Sequence, residues 1–229
     1  MTNELIFLLF TLFLLSVSLI AFRYGKTYVF ILVAIYSLLM NIFVLKQFTL
    51  FGLVVTGGNA LYGSTFLLTD ILTEHYGKHE AFKAVLIGFL TSAIFVVSTQ
   101  ALLAFTANEF DFAQPHLLAL FSVAPRILFG SMLAFVISQS FDVWAYNKIR
   151  QLTHSRFLWL RNNGSTLVSQ FIDTMIFTSV GLTAFAWLPF TGIISTDLFW
   201  SVAMATYLIK VIVALLDTPF MYLSYKFKK

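Results

Sequence analysis

The feature that most constrains this chain is the regular recurrence of long apolar runs, each close to the length that crosses a bilayer. A spanning helix needs roughly 20 mostly apolar residues. Seven such runs lie between polar punctuation, at residues 5–22, 27–45, 52–73, 81–105, 121–146, 165–188 and 198–225. Of the 229 residues, 59% are hydrophobic and only 10% are charged, where a soluble domain carries about 25% charged residues. So little polar material cannot cover a globule in water, and the bilayer has to serve as solvent. A cytosolic enzyme, a secreted domain and a disordered chain are thereby excluded. The absence of cysteine removes disulfides, iron–sulfur clusters and thiolate zinc sites. Every link is too short to fold alone, so residues 1–229 are expected to form one transmembrane domain, an all-α polytopic helix bundle. The first run lacks the basic flank and small-residue cleavage site of a signal peptide and reads as a span.

Basic residues give the bundle an orientation. Arg23 and Lys26 follow the first run, Lys78 and Lys83 the third, and Lys148, Arg150, Arg156 and Arg161 the fifth, while Lys226, Lys228 and Lys229 end the chain. These are eleven of the fourteen Lys and Arg, and the alternate links hold only Lys46. The positive-inside rule then places the N-terminus outside and the C-terminus in the cytoplasm, which requires an odd number of spans. That requirement supports the third run as a span, although Thr56, Gly57, Gly58, Asn59, Thr69 and Asp70 make it polar; six spans plus a re-entrant segment is the alternative. The net charge of +4 therefore reports topology. No basic stripe with interleaved aromatics is present, so nucleic acid is not an expected partner, and the lipid bilayer of the cell membrane is.

Inside the runs stand Asp70, Asp142, Asp173 and Asp217, with Asn59, Gln139, Gln170, Arg126 and Lys210. A charge at a helix centre costs about 2.5–3.5 kcal/mol even on the lenient insertion scale, so such residues read as functional unless they pair to orient helices. At helical spacing Asn59, Tyr62, Phe66 and Asp70 share a face, as do Phe135, Gln139 and Asp142, then Gln170, Asp173 and Phe177, and finally Lys210 and Asp217. Counting depth at about 1.5 Å per residue puts all four aspartates in the cytoplasmic half and Lys210 nearer the middle. Carboxylates and amides beside aromatic rings suit a flat, hydrogen-bonding solute. Arg126, just after Pro125, is either an interfacial anchor or an outer-gate or ligand group. The pattern S-Q-x-x-D occurs at Ser138 to Asp142 and again at Ser169 to Asp173. Gly130, Ala134 and Ser138, spaced by four, predict close helix packing within the chain. His75 and His79 beside Glu74 lack the H-E-x-x-H order and read as a solvated turn, not a metal site. No nucleophile elbow, dinucleotide turn or P-loop occurs, so neither a catalytic residue nor a cofactor is expected.

An ordered set of residues resembles the queuosine-precursor transporters, also described as the vitamin uptake transporter family. It comprises Gly58-Asn59-Ala60-Leu61-Tyr62-Gly63, Phe66 to Asp70, Tyr76-Gly77, Arg126, Ser138-Gln139, Phe141-Asp142-Val143, Arg161-Asn162-Asn163, Ser165-Thr166, Asp173-Thr174, Lys210 and Pro219. The resemblance runs from the second span to the C-terminus. It implies a transporter importing 7-deazaguanine bases, namely 7-cyano-7-deazaguanine, 7-aminomethyl-7-deazaguanine or queuine, for tRNA modification. Such a base offers N–H donors to carboxylates, an exocyclic oxygen to amides and two faces to aromatic rings. On that reading Asp70, Asp142 and Asp173 are candidate acceptors, Gln139, Gln170 and Asn59 amide partners, and Tyr62, Phe66, Phe135 and Phe177 stacking walls, with Arg126 and Lys210 as candidate cationic contacts. The drive is left to trapping in tRNA, to a proton passing the intramembrane acids, or to an energising partner, and a homo-oligomer is compatible with the sequence. The rivals are a binding subunit of an energy-coupling-factor importer and an intramembrane enzyme using paired aspartates.

Overall fold

The computed structural model describes residues 2–121, 124–183 and 195–227. Seven long helices dominate them: α1 (Asn3–Tyr24), α2 (Lys26–Phe43), α3 (Asn59–Tyr76), α4 (Lys78–Ala104), α6 (Ala124–Leu152), α7 (Leu158–Ile176) and α8 (Phe199–Phe227), with a short α5 (Gln114–Phe121) before α6. By length and composition alone, α1, α2, α4 and the helical segment ending in α8 can each cross a membrane. Helix α3, with Asn59, Thr69, Asp70 and Glu74, is too polar to do so unaided.

That polarity is accommodated by position. Helix α3 runs through the middle of the bundle, packed by α1, α2, α4, α6 and α8, and every residue from Asn59 to Glu74 is buried. Its hydroxyls turn back on their own helix: Ser64, Thr65 and Thr73 each donate to the carbonyl four residues earlier at 2.8–3.0 Å. Apolar side chains instead cover the outside, where Phe13, Ile20, Ile31, Ile94, Val97, Leu208 and Leu215 are exposed. An apolar surface this extensive is foreign to a soluble monomer and fits contact with lipid. Close approach of α3 to α8 depends on Gly63, where a Cβ would sit 2.3 Å from Val213 Cγ1.

The third apolar run is shorter as a helix than its sequence suggests. Residues 52–58 are not helical. Gln47–Leu50 and Leu53–Thr56 form an antiparallel hairpin, β1 and β2, pairing Gln47 with Thr56 and Leu50 with Leu53. The turn puts Phe51 at φ +50° and Gly52 at φ +79°, the positive-φ pair that a two-residue hairpin turn demands. Val54, Val55 and Thr56 are β-branched and prefer the extended state, and Gly57-Gly58 then ends the strand segment. The hairpin is tied to the chain start, since Asn3 Nδ2 donates to the Thr49 carbonyl at 3.0 Å and Glu4 Oε1 accepts from Phe51 N–H at 3.2 Å. The all-α expectation holds for the bundle, to which one small hairpin is added.

Other boundaries shift less. Helices α6 and α7 extend towards each other and leave only residues 153–157 between them, so Arg161, expected in a link, lies within α7. Past Ile176 the helix widens into a π-helical stretch, Phe177–Leu182. Residues 184–188 of the sixth run lie outside the described residues. Gly130 of α6 faces this π stretch, and a Cβ there would lie 2.7 Å from Gly181 Cα. The predicted close packing is thus realised within the chain.

Candidate functional site

A cavity of about 480 Å³ lies at the hairpin end of the bundle, within the roughly 300–1,000 Å³ range of small-molecule sites. Its rim comes from the hairpin, with Gln47, Val54, Val55 and Thr56, and from the end of α2, with Met40 and Val44. Its polar wall comes from α3, α7 and α8, which bring Asn59, Tyr62, Asp173 and Lys210 together beside Phe177. Lys210 is eleven residues into α8, about 16 Å along the axis, so this wall lies well inside the bundle.

Asp173 organises the wall. It pairs with Lys210, both residues being buried, and accepts a hydrogen bond from the Tyr62 hydroxyl. Ser138 Oγ lies 2.7 Å from the same hydroxyl and 3.5 Å from Asp173 Oδ1. The Lys210 ammonium stands 4.6 Å from the Tyr62 ring centroid, a cation–π distance. Phe66 and Phe135 brace that ring from behind, with centroids 5.2 and 6.2 Å away. A carboxylate offers about four lone-pair positions, so Asp173 retains capacity for donors from a bound molecule. Asn59 supplies the complement: it lines the cavity, is buried, and its Nδ2 has no partner among the described residues. The cavity thus presents an acceptor, an amide donor, a cation and aromatic surface within one concave space.

Of the residues singled out in the sequence, Asn59, Tyr62, Asp173, Phe177 and Lys210 line this cavity, whereas Phe66, Asp70, Arg126, Phe135, Gln139, Asp142 and Gln170 do not. Arg126 donates from Nε to the Val180 carbonyl at 2.9 Å and from Nη2 to the Thr183 carbonyl, tying α6 to the end of the π stretch. Gln139 Oε1 accepts from Thr69 Oγ1 at 3.0 Å. The four aspartates are not one group. Asp173 sits with Lys210 at the cavity, and Asp70, Asp142 and Asp217 lie further from the hairpin, each fully buried.

One face of α7 serves all four. Asn162 Nδ2 donates to Asp217 Oδ1 at 2.8 Å, Thr166 Oγ1 to Asp70 Oδ2 at 3.3 Å, and Ser169 Oγ to Asp142 Oδ1 at 2.9 Å. Asp173 completes the column, whose members fall three or four residues apart and so align on one side of the helix. The two S-Q-x-x-D segments face each other across α6 and α7. Ser169 reaches Asp142 while Ser138 approaches Asp173, so each motif's serine addresses the other motif's aspartate.

A second feature lies at the far end from the hairpin, among residues the sequence suggested were link charges. Arg161 is 2% exposed and grips Glu74 bidentately, Nε to Oε2 and Nη2 to Oε1, both at 2.8 Å. Tyr146 donates to Glu74 Oε2 at 2.9 Å and Tyr225 donates to Oε1. Arg161 Nη1 also donates to the Ser155 and Arg156 carbonyls, while Arg150 Nη1 donates to those of Thr73 and Glu74. The four helices α3, α6, α7 and α8 are pinned at one point. Its sequence signals are the place of Arg161-Asn162-Asn163 beside a span start and in the set that resembles the family. Nearby, His75 stacks on Phe22 with centroids 4.7 Å apart and meets Ser224 Oγ at 2.7 Å, so it is packed and not the solvated turn its sequence suggests.

Residues 56–224 match the family model described as "Putative vitamin uptake transporter". The chain belongs to the vitamin uptake transporter family. The match begins at Thr56, the last residue of the hairpin, and takes in α3 with its buried polar face and the stretches of α7 and α8 that build the cavity's polar wall. The chain is also 41% identical, over 204 residues, to a Bacillus subtilis (strain 168) protein named "Probable queuosine precursor transporter", an alignment covering 89% of this chain and 86% of that one. No solved structure matches. Family, apolar envelope and relative agree that this is a membrane transport protein.

Proposed function

We propose that this chain imports queuosine precursors, 7-deazaguanine bases, across the cell membrane as a multi-pass carrier, with the hairpin-end cavity as the cargo site. The observation that carries the reading is the 41% identity to the probable queuosine precursor transporter, which spans most of both chains. The cavity's chemistry supports it. Asp173 offers acceptor positions to the adjacent N–H groups of a guanine-like edge, Asn59 Nδ2 offers a donor to the exocyclic oxygen, and Phe177 and Tyr62 offer faces for stacking. The alternation of basic residues favours an external N-terminus and a cytoplasmic C-terminus, in which case the cavity lies on the outer side and the Glu74–Arg161 contact on the inner side. Seven crossings then follow, with α3 sheltered from lipid by its neighbours.

The test is the queuosine content of tRNA in a strain that neither makes nor imports these bases, carrying this chain or its Asp173→Asn variant at equal membrane abundance. Each of 7-cyano-7-deazaguanine, 7-aminomethyl-7-deazaguanine and queuine is supplied at limiting concentration. Restoration by one base names the cargo, and its loss in the variant assigns Asp173 to the cargo site. A membrane-localised chain that restores none, beside a known importer that does, overturns the reading.

A further inference from the structure

Among the described residues five acidic side chains are buried in the bundle, Asp70, Glu74, Asp142, Asp173 and Asp217, against two buried basic ones, Arg161 and Lys210. Both bases are committed, Arg161 to Glu74 and Lys210 to Asp173. Asp70, Asp142 and Asp217 are left over, on three different helices, all fully buried. Around them stand Tyr146 on α6, Glu74 on α3, and Asp173 and Arg161 on α7, with Lys210 on α8; none of these brings an uncommitted positive charge. Three ionised carboxylates in this setting have no counter-charge, and an uncompensated buried charge costs several kcal/mol. Such groups take up a proton instead.

The hydrogen bonds point the same way. Each of the three carboxyls receives one donor on one oxygen, from Thr166, Ser169 or Asn162. The second oxygen of each, Asp70 Oδ1, Asp142 Oδ2 and Asp217 Oδ2, has no partner among the described residues. Asn162 is fully buried, donates its Nδ2 to Asp217 and leaves its own Oδ1 without a partner. These four orphan atoms are all acceptors, and the unpartnered buried donors of α6 and α7, Gln139 Nε2, Ser165 Oγ and Gln170 Nε2, make no hydrogen bond to them, so what they lack is hydrogen. Among the described residues no group of three or more acidic, histidine or cysteine side chains is arranged to hold a metal ion.

We propose that Asp70, Asp142 and Asp217 form a proton-binding site, distinct from the cargo cavity, that couples uptake to the proton gradient. The α7 column supplies the connection. Ser138 approaches Asp173 at the cavity wall and Ser169, one turn away on α7, donates to Asp142 in the triad, while Asn162 adjoins Arg161 at the opposite end. A carboxylate of the triad gains a proton from the cavity side and returns it as the same carboxylate on the other, so one positive charge accompanies the cargo. The coupling half of this inference rests on the proposed import function, and the proton-binding half does not.

The experiment uses the purified full chain in lipid vesicles, as wild type and as Asp70→Asn, Asp142→Asn and Asp217→Asn. Infrared spectra across a pH step, with and without sodium, read the carbonyl stretch of protonated carboxyl groups. The expected result is a protonated-carboxyl band that vanishes on alkalinisation, weakens in every variant and is indifferent to sodium. In the same vesicles Asp217→Asn should lose gradient-driven accumulation of labelled base while still exchanging base at equilibrium. A band unchanged in all three variants, a band that sodium abolishes, or variants that accumulate base as the wild type does would each overturn the proposal. If wild-type vesicles exchange none of the bases, the cargo assignment and the coupling both fail, and the infrared arm still decides whether the triad binds protons.

Discussion

The two copies of S-Q-x-x-D share a pattern, a helix-to-helix interface and a reciprocal serine contact, yet their aspartates live in different surroundings. Asp173 opens on a cavity and is matched by Lys210 and Tyr62. Asp142, one helix away, accepts from the Ser169 hydroxyl and has no paired cation among the described residues. Sequence pattern alone therefore does not set a carboxyl's role; the neighbouring helix does. Lys210 on α8 faces the first site, and Asp217, two turns along the same helix, belongs to the second.

The sharpest way to break this comparison is Asp173→Ala, which strands the buried ammonium of Lys210. Removing one partner of a buried ion pair costs roughly 3–5 kcal/mol, so thermal unfolding in detergent should fall steeply. Adding Lys210→Met should recover most of that stability without recovering uptake. A double variant as unstable as the single one would show that the ion pair is not what distinguishes the two sites. Next in size is Gly130→Ala. Its Cβ would meet Gly181 backbone at 2.7 Å, and overpacking of this kind costs about 1–3 kcal/mol. It parts α6 from the π stretch that follows α7, so both motifs should suffer together, read as unfolding temperature and uptake.

A serine-to-alanine pair then separates the copies. Ser169→Ala removes a 2.9 Å bond to Asp142, and Ser138→Ala removes a 2.7 Å bond with the Tyr62 hydroxyl and a 3.5 Å approach to Asp173. Each should cost about 1 kcal/mol in a denaturation series, but only Ser138→Ala, at the cavity wall, should also weaken cargo binding; equal cargo affinities in the two variants would erase the distinction. Smallest is Asp142→Asn, whose amide oxygen still accepts from Ser169 and whose removal of a carboxyl breaks no ion pair. It should change stability by under about 1 kcal/mol, and a loss as large as that of Asp173→Ala would mean that Asp142 has a counter-charge after all.

The faces of the helices were legible in the sequence. Helical spacing aligned Asn59 with Tyr62, and Asp173 with Phe177, and both pairs line the cavity. Small residues at Gly130 announced the α6 packing, and polarity flagged α3 as the run needing shelter. Rotation of one helix against another was not legible, and it is what separates Asp173 from Asp70 and Asp142. Depth counting placed the four aspartates together because it began the sixth run at residue 165, whereas α7 begins seven residues earlier, at Leu158, and carries Asp173 correspondingly further along the bundle. The hairpin escaped because Leu53, Val54 and Val55 are as apolar as a span, and hydropathy does not distinguish a strand from a helix. Glu74 and Arg161 escaped because charges near span ends ordinarily face water, and only the packing of α3, α6, α7 and α8 shows that these do not.

The Glu74–Arg161 contact makes the molecule a cup closed at the base. On the proposal that the hairpin-end cavity holds the cargo, the way onward is shut by a guanidinium gripping one carboxylate in two places, with two tyrosine hydroxyls on the same group. Each turnover has to part these contacts and form them again. On the same proposal this contact is a latch remote from the cargo cavity, and a softened latch such as Arg161→Lys should leak faster in both directions while binding its cargo as before.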